Sequence, residues 1–174
     1  MFDETLYLIE MSRLLDQAAA TLRREYPQAL VYTVSVWTDP DAAVSGVSFD
    51  TAENSAAKMA EEEAWAAEHF ARLSTRGEHE EAKLFAPRGG ARNDNPADFA
   101  FREIALVEHR SFPLRWAEEM GGRCWEELGP ALERVRERAV DLYVLLPLDT
   151  DAELAVNSNR DWYDEPVKLR RAAI

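Results

Sequence analysis

Cysteine is nearly absent from this chain: one residue, Cys124, stands among 174. A lone thiol cannot close an internal disulfide, which fits a reducing compartment, and without a histidine close in sequence Cys124 reads as a small core residue rather than a nucleophile. Histidine is almost as scarce, with only His69, His79 and His109. That shortage removes the parts of most metal and acid–base sites, and no His-Glu-x-x-His spacing occurs. The seven glycines form no Gly-x-Ser-x-Gly, no Gly-x-x-x-x-Gly-Lys-Ser/Thr and no Gly-x-Gly-x-x-Gly, so the known nucleophile elbow and phosphate-cradling loops are missing. No apolar run approaches the ~20 residues of a membrane span, and the opening Met1-Phe2-Asp3-Glu4-Thr5 lacks the base of a secretory leader. A cytoplasmic protein, neither inserted nor exported by a standard signal, is expected.

Bases are in deficit too. Lys and Arg total 20 against 33 Asp and Glu, a net charge of −13. Residues 1–50 and 51–82 contribute −5 each, whereas residues 83–110 come to +1. Such a surface repels phosphate backbones, which argues against nucleic acid, and attracts a basic protein partner. What the chain has in quantity is apolar residues, 47%, including five Trp, five Tyr and seven Phe. This is the composition of a globular protein, and with no linker-like stretch a single domain over residues 1–174 is expected.

Apolar spacing at Leu6, Ile9, Leu15, Ala18 and Leu22 predicts an amphipathic helix from Asp3 to about Glu25, stopped by Tyr26-Pro27. Residues 30–37 alternate and are rich in β-branched and aromatic side chains, the strongest strand signal in the chain. Turn residues at 38–41 then lead to a second, antiparallel strand at Gly46–Asp50. Asp50-Thr51-Ala52-Glu53 supplies a cap ahead of an Ala-rich helix to about Leu73, with Ala56, Met59, Glu63, Ala66, Phe70 and Leu73 near one stripe. Residues 74–98 are punctuated by Gly, Pro and Asn and predict a long loop, shortened if residues 82–85 form a strand. Residues 99–107 fit helix or strand equally. Ser111-Phe112-Pro113 opens a helix to about Met120, Gly129-Pro130 resets the chain after a short turn at 124–128, and Leu132 to Leu146 recur at helical spacing. A short strand over 152–157 precedes a polar, aromatic tail. The expected fold is α+β: a small, mainly antiparallel sheet packed against three or four helices.

Few constellations carry chemistry. Glu78-His79-Glu80-Glu81 contains metal-ligand types, but neighbours in sequence point apart, so a surface loop is the simpler reading. Glu108-His109 offers an acid–base pair only if the fold brings a second group to the imidazole. Asp39 and Asp41 resemble a carboxylate pair, yet 33 acids guarantee such pairs. Arg88-Gly89-Gly90 with Arg92 is a weak anion nest. The tail Asn157-Ser158-Asn159-Arg160-Asp161-Trp162-Tyr163-Asp164 is more informative, because Trp, Tyr and Arg dominate protein interfaces, and the same residue types line small-ligand grooves.

The strand from Val31 to Thr38 with Asp50-Thr51-Ala52-Glu53, the segment His109-Arg110-Ser111-Phe112-Pro113, and Leu154-Ala155-Val156-Asn157-Ser158 with Arg160-Asp161-Trp162 resemble the bacterial domain-of-unknown-function family numbered 4303, over nearly the whole chain. The resemblance brings no catalytic residue with it. It implies binding rather than catalysis, since small acidic bacterial families of this kind are suspected immunity or accessory proteins of polymorphic toxins. The reading of the sequence is therefore a noncatalytic, cofactor-free protein that binds a protein partner, contacting it through Glu61, Glu62 and Glu68 and through Asn157, Arg160, Asp161, Trp162 and Tyr163. The rival is a small hydrolase or metal-dependent enzyme using His79 or His109 with nearby carboxylates. A homodimer through the Ala-rich second helix is a third reading.

Overall fold

The computed structural model describes residues 1–86, 92–118 and 122–170. Two compact units divide the chain, one of Met1–Ala52 with Asn95–Ile174 and the other of Glu53–Asp94. The fold class is α+β, with a mainly antiparallel sheet.

In the first unit, α1 (Glu4–Glu25) begins where the Asp3 carboxylate accepts the Leu6 N–H at 3.0 Å. This satisfies one of the donors that every helix start leaves open. Its buried stripe is Tyr7, Met11, Leu14, Leu15, Ala18 and Leu22. The stripe is thus rotated from the one read in the sequence: Ile9 is exposed and Leu6 only half-buried. Tyr7 can turn inward because its hydroxyl meets Thr38 Oγ1 at 3.0 Å, so burying the ring leaves no orphaned polar group.

Strands β1 (Val31–Asp39) and β2 (Val44–Asp50) form the expected hairpin, with Val36 opposite Val47 and Trp37 opposite Gly46. Asp39 Oδ1 accepts the N–H groups of Asp41 and Ala42, and Ala43 takes a left-handed φ of 54° to close the turn. The ambiguous segment after residue 99 is a strand, β3 (Phe101–Glu108), antiparallel to β2. Its neighbour in the sheet decided what periodicity left open.

Residues 114–118 form a 3₁₀ turn rather than the predicted α-helix; residues 119–121, including Met120 and Gly121, lie outside the described set. Helix α4 (Cys124–Tyr143) is continuous through Gly129-Pro130, where the sequence suggested a break. Pro130 sits in the second turn on the exposed side, and the Glu126 carbonyl it leaves without a helical donor belongs to an exposed residue, so the missing bond costs less than in a buried interior. Strand β4 (Leu148–Val156) is longer than expected and parallel to β1, while β5 (Val167–Lys168), not foreseen, pairs antiparallel with β4. The sheet order is β3-β2-β1-β4-β5.

The two sheet faces differ. One presents Val34, Val36, Val47, Phe49, Leu154 and Val156 to the core shared with α1 and α4, where Tyr143 meets Phe49 edge-on and donates to the Leu15 carbonyl. By strand alternation the other face carries Thr33, Ser35, Trp37, Ser48 and Asp50. The four polar residues of that set are buried. An apolar core on one side and a polar, covered surface on the other places any polar site on the second face or at the sheet ends.

In the second unit, α2 runs Ala52–Thr75, followed by α3 (His79–Ala82) and a 3₁₀ turn at Lys83–Phe85. The stretch read as loop or strand is therefore partly helical up to residue 85. The glycine pair at 89–90 and Arg88 lie outside the described residues. Ser55 is the one buried residue of α2; its hydroxyl accepts the Asn93 N–H at 2.9 Å. Of the predicted stripe, Met59, Ala66 and Leu73 are half-buried while Ala56, Glu63 and Phe70 are exposed. Trp65 packs on His69 at 3.9 Å and on Phe85 at 5.4 Å.

Candidate functional site

Trp37 stands near the end of β1 on the polar face, and its position is set by a missing side chain. A Cβ at Gly46, directly across the ladder, would lie 2.5 Å from Trp37 Cζ2 and 2.8 Å from Leu106 Cδ2. Glycine is required here for space, so that the indole can lie over the neighbouring strand. Facing Trp37 is Trp162 from the segment after β4, with ring centroids 6.1 Å apart in an edge-to-face pair at 81°.

The groove beside these rings holds about 600 Å³, and Ser48, Arg102, Glu103 and Asn95 also line it. Arg102 and Glu103 reach it through an irregularity in the β2–β3 ladder between Val47 and Phe49. There Glu103 adopts a left-handed φ of 47° and donates its N–H to Ser48 Oγ at 3.0 Å. A bulge of this kind re-aims side chains, and its strained residue sits at the groove wall. Trp162 also borders a second hollow of about 290 Å³, lined in part by Asp41, Asp161, Arg160 and Trp125, with Asp39 common to both.

The segment that carries Trp162 is held from both ends. The buried Asn157 amide donates to the Thr38 carbonyl at 2.8 Å and accepts the Thr38 N–H at 2.9 Å, so it clamps β1 to the chain leaving β4. Arg160 pairs with Asp164 at 2.8 Å and with Glu165 at 3.0 Å, which raises its pKa and, with the Ser158 hydroxyl, lowers that of Asp164. Tyr163 donates its hydroxyl to Glu153 at 2.8 Å. Of the predicted tail residues, Trp162 at 52% and Asp161 are exposed at the hollows. Asn157 and Tyr163 hold the segment in place, and Arg160, itself exposed at the second hollow, ties it to Asp164 and Glu165. Sequence reading missed Trp37, Arg102 and Glu103; the readable signal was a Trp late in one strand and a Gly early in the next.

A second cluster lies between α1 and the ends of β1, β2 and β3. Tyr7, Thr38, Ser45, His109 and Glu10 form one chain of contacts: Thr38 Oγ1 to Ser45 Oγ at 2.6 Å, Ser45 Oγ to His109 Nε2 at 2.7 Å, and His109 Nδ1 to Glu10 Oε2 at 2.8 Å. Glu10 also accepts the Ser111 hydroxyl and the Arg110 N–H. Burial opposes ionisation of Glu10, but these donors outweigh it and lower its pKa. Burial lowers the pKa of His109 by more than Glu10 raises it. A carboxylate facing a neutral imidazole fixes the direction of every proton: Nδ1–H donates to Glu10, Nε2 accepts from Ser45, Ser45 accepts from Thr38, and Thr38 accepts from Tyr7.

Ser45, His109 and Glu10 thus have the contacts of a nucleophile, base and orienting acid. Yet Ser45 is fully buried, and its hydroxyl is engaged as donor and acceptor. Glu108, the sequence neighbour of His109, is exposed and takes no part.

His79 is exposed at the start of α3, and among the described residues no three His, Cys, Asp or Glu side chains gather at a metal-sized site. Glu61, Glu62 and Glu68 are all exposed on α2; Glu61 pairs with Lys58 at 2.8 Å. Among the described residues no helix is long and apolar enough to cross a membrane. No protein-family model, curated protein or solved structure matches this chain.

Proposed function

We propose that this chain is a noncatalytic binding protein of the bacterial cytoplasm, of the immunity or accessory type, and that its partner is a basic protein. The observation that supports it most is the exposed acidic surface of α2, where Glu61, Glu62, Glu63 and Glu68 face solvent and the flanking bases are Lys58 and Arg72. Clustered surface charge contributes little to the stability of its own fold but steers the approach of an oppositely charged partner. Reversing Glu61, Glu62 and Glu68 to Lys is expected to weaken binding of a partner captured from lysate, then identified and purified, by about tenfold or more and to flatten its dependence on ionic strength. Unchanged affinity and salt dependence in calorimetry would remove this reading.

The contacts among Ser45, His109 and Glu10 favour a second reading, hydrolysis with Ser45 as nucleophile. A fluorophosphonate probe separates the two. The buried, doubly engaged hydroxyl is expected to stay unlabelled over hours, whereas labelling that disappears in Ser45→Ala would make the protein a serine hydrolase.

A further inference from the structure

We propose that the groove at Trp162 receives an arginine side chain of the basic partner, the guanidinium lying flat on the Trp162 indole and pairing with Asp39. This rests on the partner reading above and names the chemistry of one contact.

Charge around Trp162 argues for a cation. Asp39, Asp41, Asp161 and Glu103 line the two hollows, and among the described residues none of the four is in an ion pair. Of the two local guanidinium groups, Arg160 is balanced by Asp164 and Glu165, and Arg102, which donates to the Ala97 carbonyl at 3.2 Å and lines the groove, offsets one of the four carboxylates, so the hollows keep a negative balance. Asp39 uses Oδ1 on the turn N–H groups, leaving Oδ2 uncommitted among the described residues.

Shape argues for a flat cation. Trp162 keeps half of its surface in solvent and stands at 81° to the second indole, and an indole attracts a cation over its flat π face. A guanidinium stacks on such a face while its N–H fork meets a carboxylate, which the compact, strongly hydrated lysine ammonium does less well. Tryptophan and arginine are also among the residue types that most often anchor protein interfaces.

The test follows the indole N–H resonances of the ¹⁵N-labelled full chain, Trp37 and Trp162 being assigned through Trp→Phe variants. The probes are N-acetyl-arginine methylamide and its citrulline analogue, which keeps the shape and loses the charge. The Trp162 and Trp37 resonances are expected to move with the arginine probe and stay in place with citrulline. Asp39→Asn, which retains an oxygen for the turn, and Trp162→Ala are each expected to weaken the response by about fivefold. The wild-type-like dispersion of each variant's spectrum checks that it is folded. Equal response to citrulline, no response to arginine, a response only to a saccharide, or indifference to Asp39→Asn would each overturn the proposal. Loss of partner binding on reversing the α2 charges, combined with a groove that ignores arginine, would sink this inference alone. Arginine seated in the groove of a chain whose partner binding ignores the α2 charges would sink the α2 reading instead.

Discussion

Glu10→Ala is expected to lower the stability of the folded chain by about 3 kcal/mol, because it strands several donors at once. The carboxylate accepts from His109 Nδ1, from the Ser111 hydroxyl and from the Arg110 N–H, and His109 and Ser111 are buried. Removing one acceptor from a closed network leaves desolvated N–H and O–H groups with nothing in exchange. Glu10→Gln, which keeps an oxygen in place, is expected to cost less. Urea denaturation followed by circular dichroism reads both values, and a loss below about 1 kcal/mol in the alanine variant would show that water replaces the carboxylate.

The same network sets an acid limit, and both members act in one direction. The folded chain holds the His109 pKa below its ordinary 6.5, so the unfolded chain binds that proton more readily. Stability accordingly falls as pH drops below about 6.5, until the folded chain is protonated as well. Glu10 is held below its ordinary 4.5. Its contribution is complete above that value and disappears as pH falls through the lowered one. Melting temperature is thus expected to decline from neutrality downward, in two legs. His109→Gln is expected to erase the upper leg and leave the lower one; a variant with the wild-type slope between pH 7 and pH 5 would assign that leg elsewhere.

Gly46→Ala is expected to cost about 2 kcal/mol and to open the Trp37–Trp162 pair. The added methyl would sit 2.5 Å from the Trp37 ring. The half-buried indole can move only by leaving its place over β2, whereas Leu106, which is exposed, yields at its flexible end. The decisive comparison is a double-mutant cycle: in a Trp37→Ala background the same alanine should cost nearly nothing, because the clashing ring is gone. Equal cost in both backgrounds would place the strain in the strand backbone instead. Near-ultraviolet circular dichroism should lose signal in Gly46→Ala in proportion to the displacement of the ring pair.

Helices α1 and α2, the later part of α4 and the first hairpin were legible in the sequence because their signals are local. The Asp50-Thr51-Ala52-Glu53 cap ahead of α2, the 3.6-residue apolar spacing of α1 and α4, and the alternation of residues 31–37 act within a few residues of themselves. The same locality explains the misreadings. Gly129-Pro130 looks like a break in isolation, yet the packing of Leu128, Ala131, Leu132 and Val135 on the core holds the helix together across it. Residues 101–108 became a strand because β2 offered a free edge, and Tyr7 displaced Ile9 from the buried stripe because Thr38, 31 residues away, was there to take its hydroxyl.

The candidate sites divide in the same way. Trp162 and the acidic face of α2 could be picked out from residue type alone, since aromatic and charged side chains keep their chemistry wherever they lie. What they face could not. Trp37 and Trp162 are far apart in the chain, as are Glu10 and His109; sheet pairing brings β4 beside β1 and seats α1 against the strand ends, and only then do these groups meet. By itself, the sequence determined charge, the extent of α1 and α2 and the turn chemistry, which depend on near neighbours, but not which helix residues turn inward. The tertiary structure alone decided the groove and the buried hydrogen-bond chain, because contacts between residues distant in sequence leave no periodic trace: they are set by strand order, register and the space a single glycine leaves open.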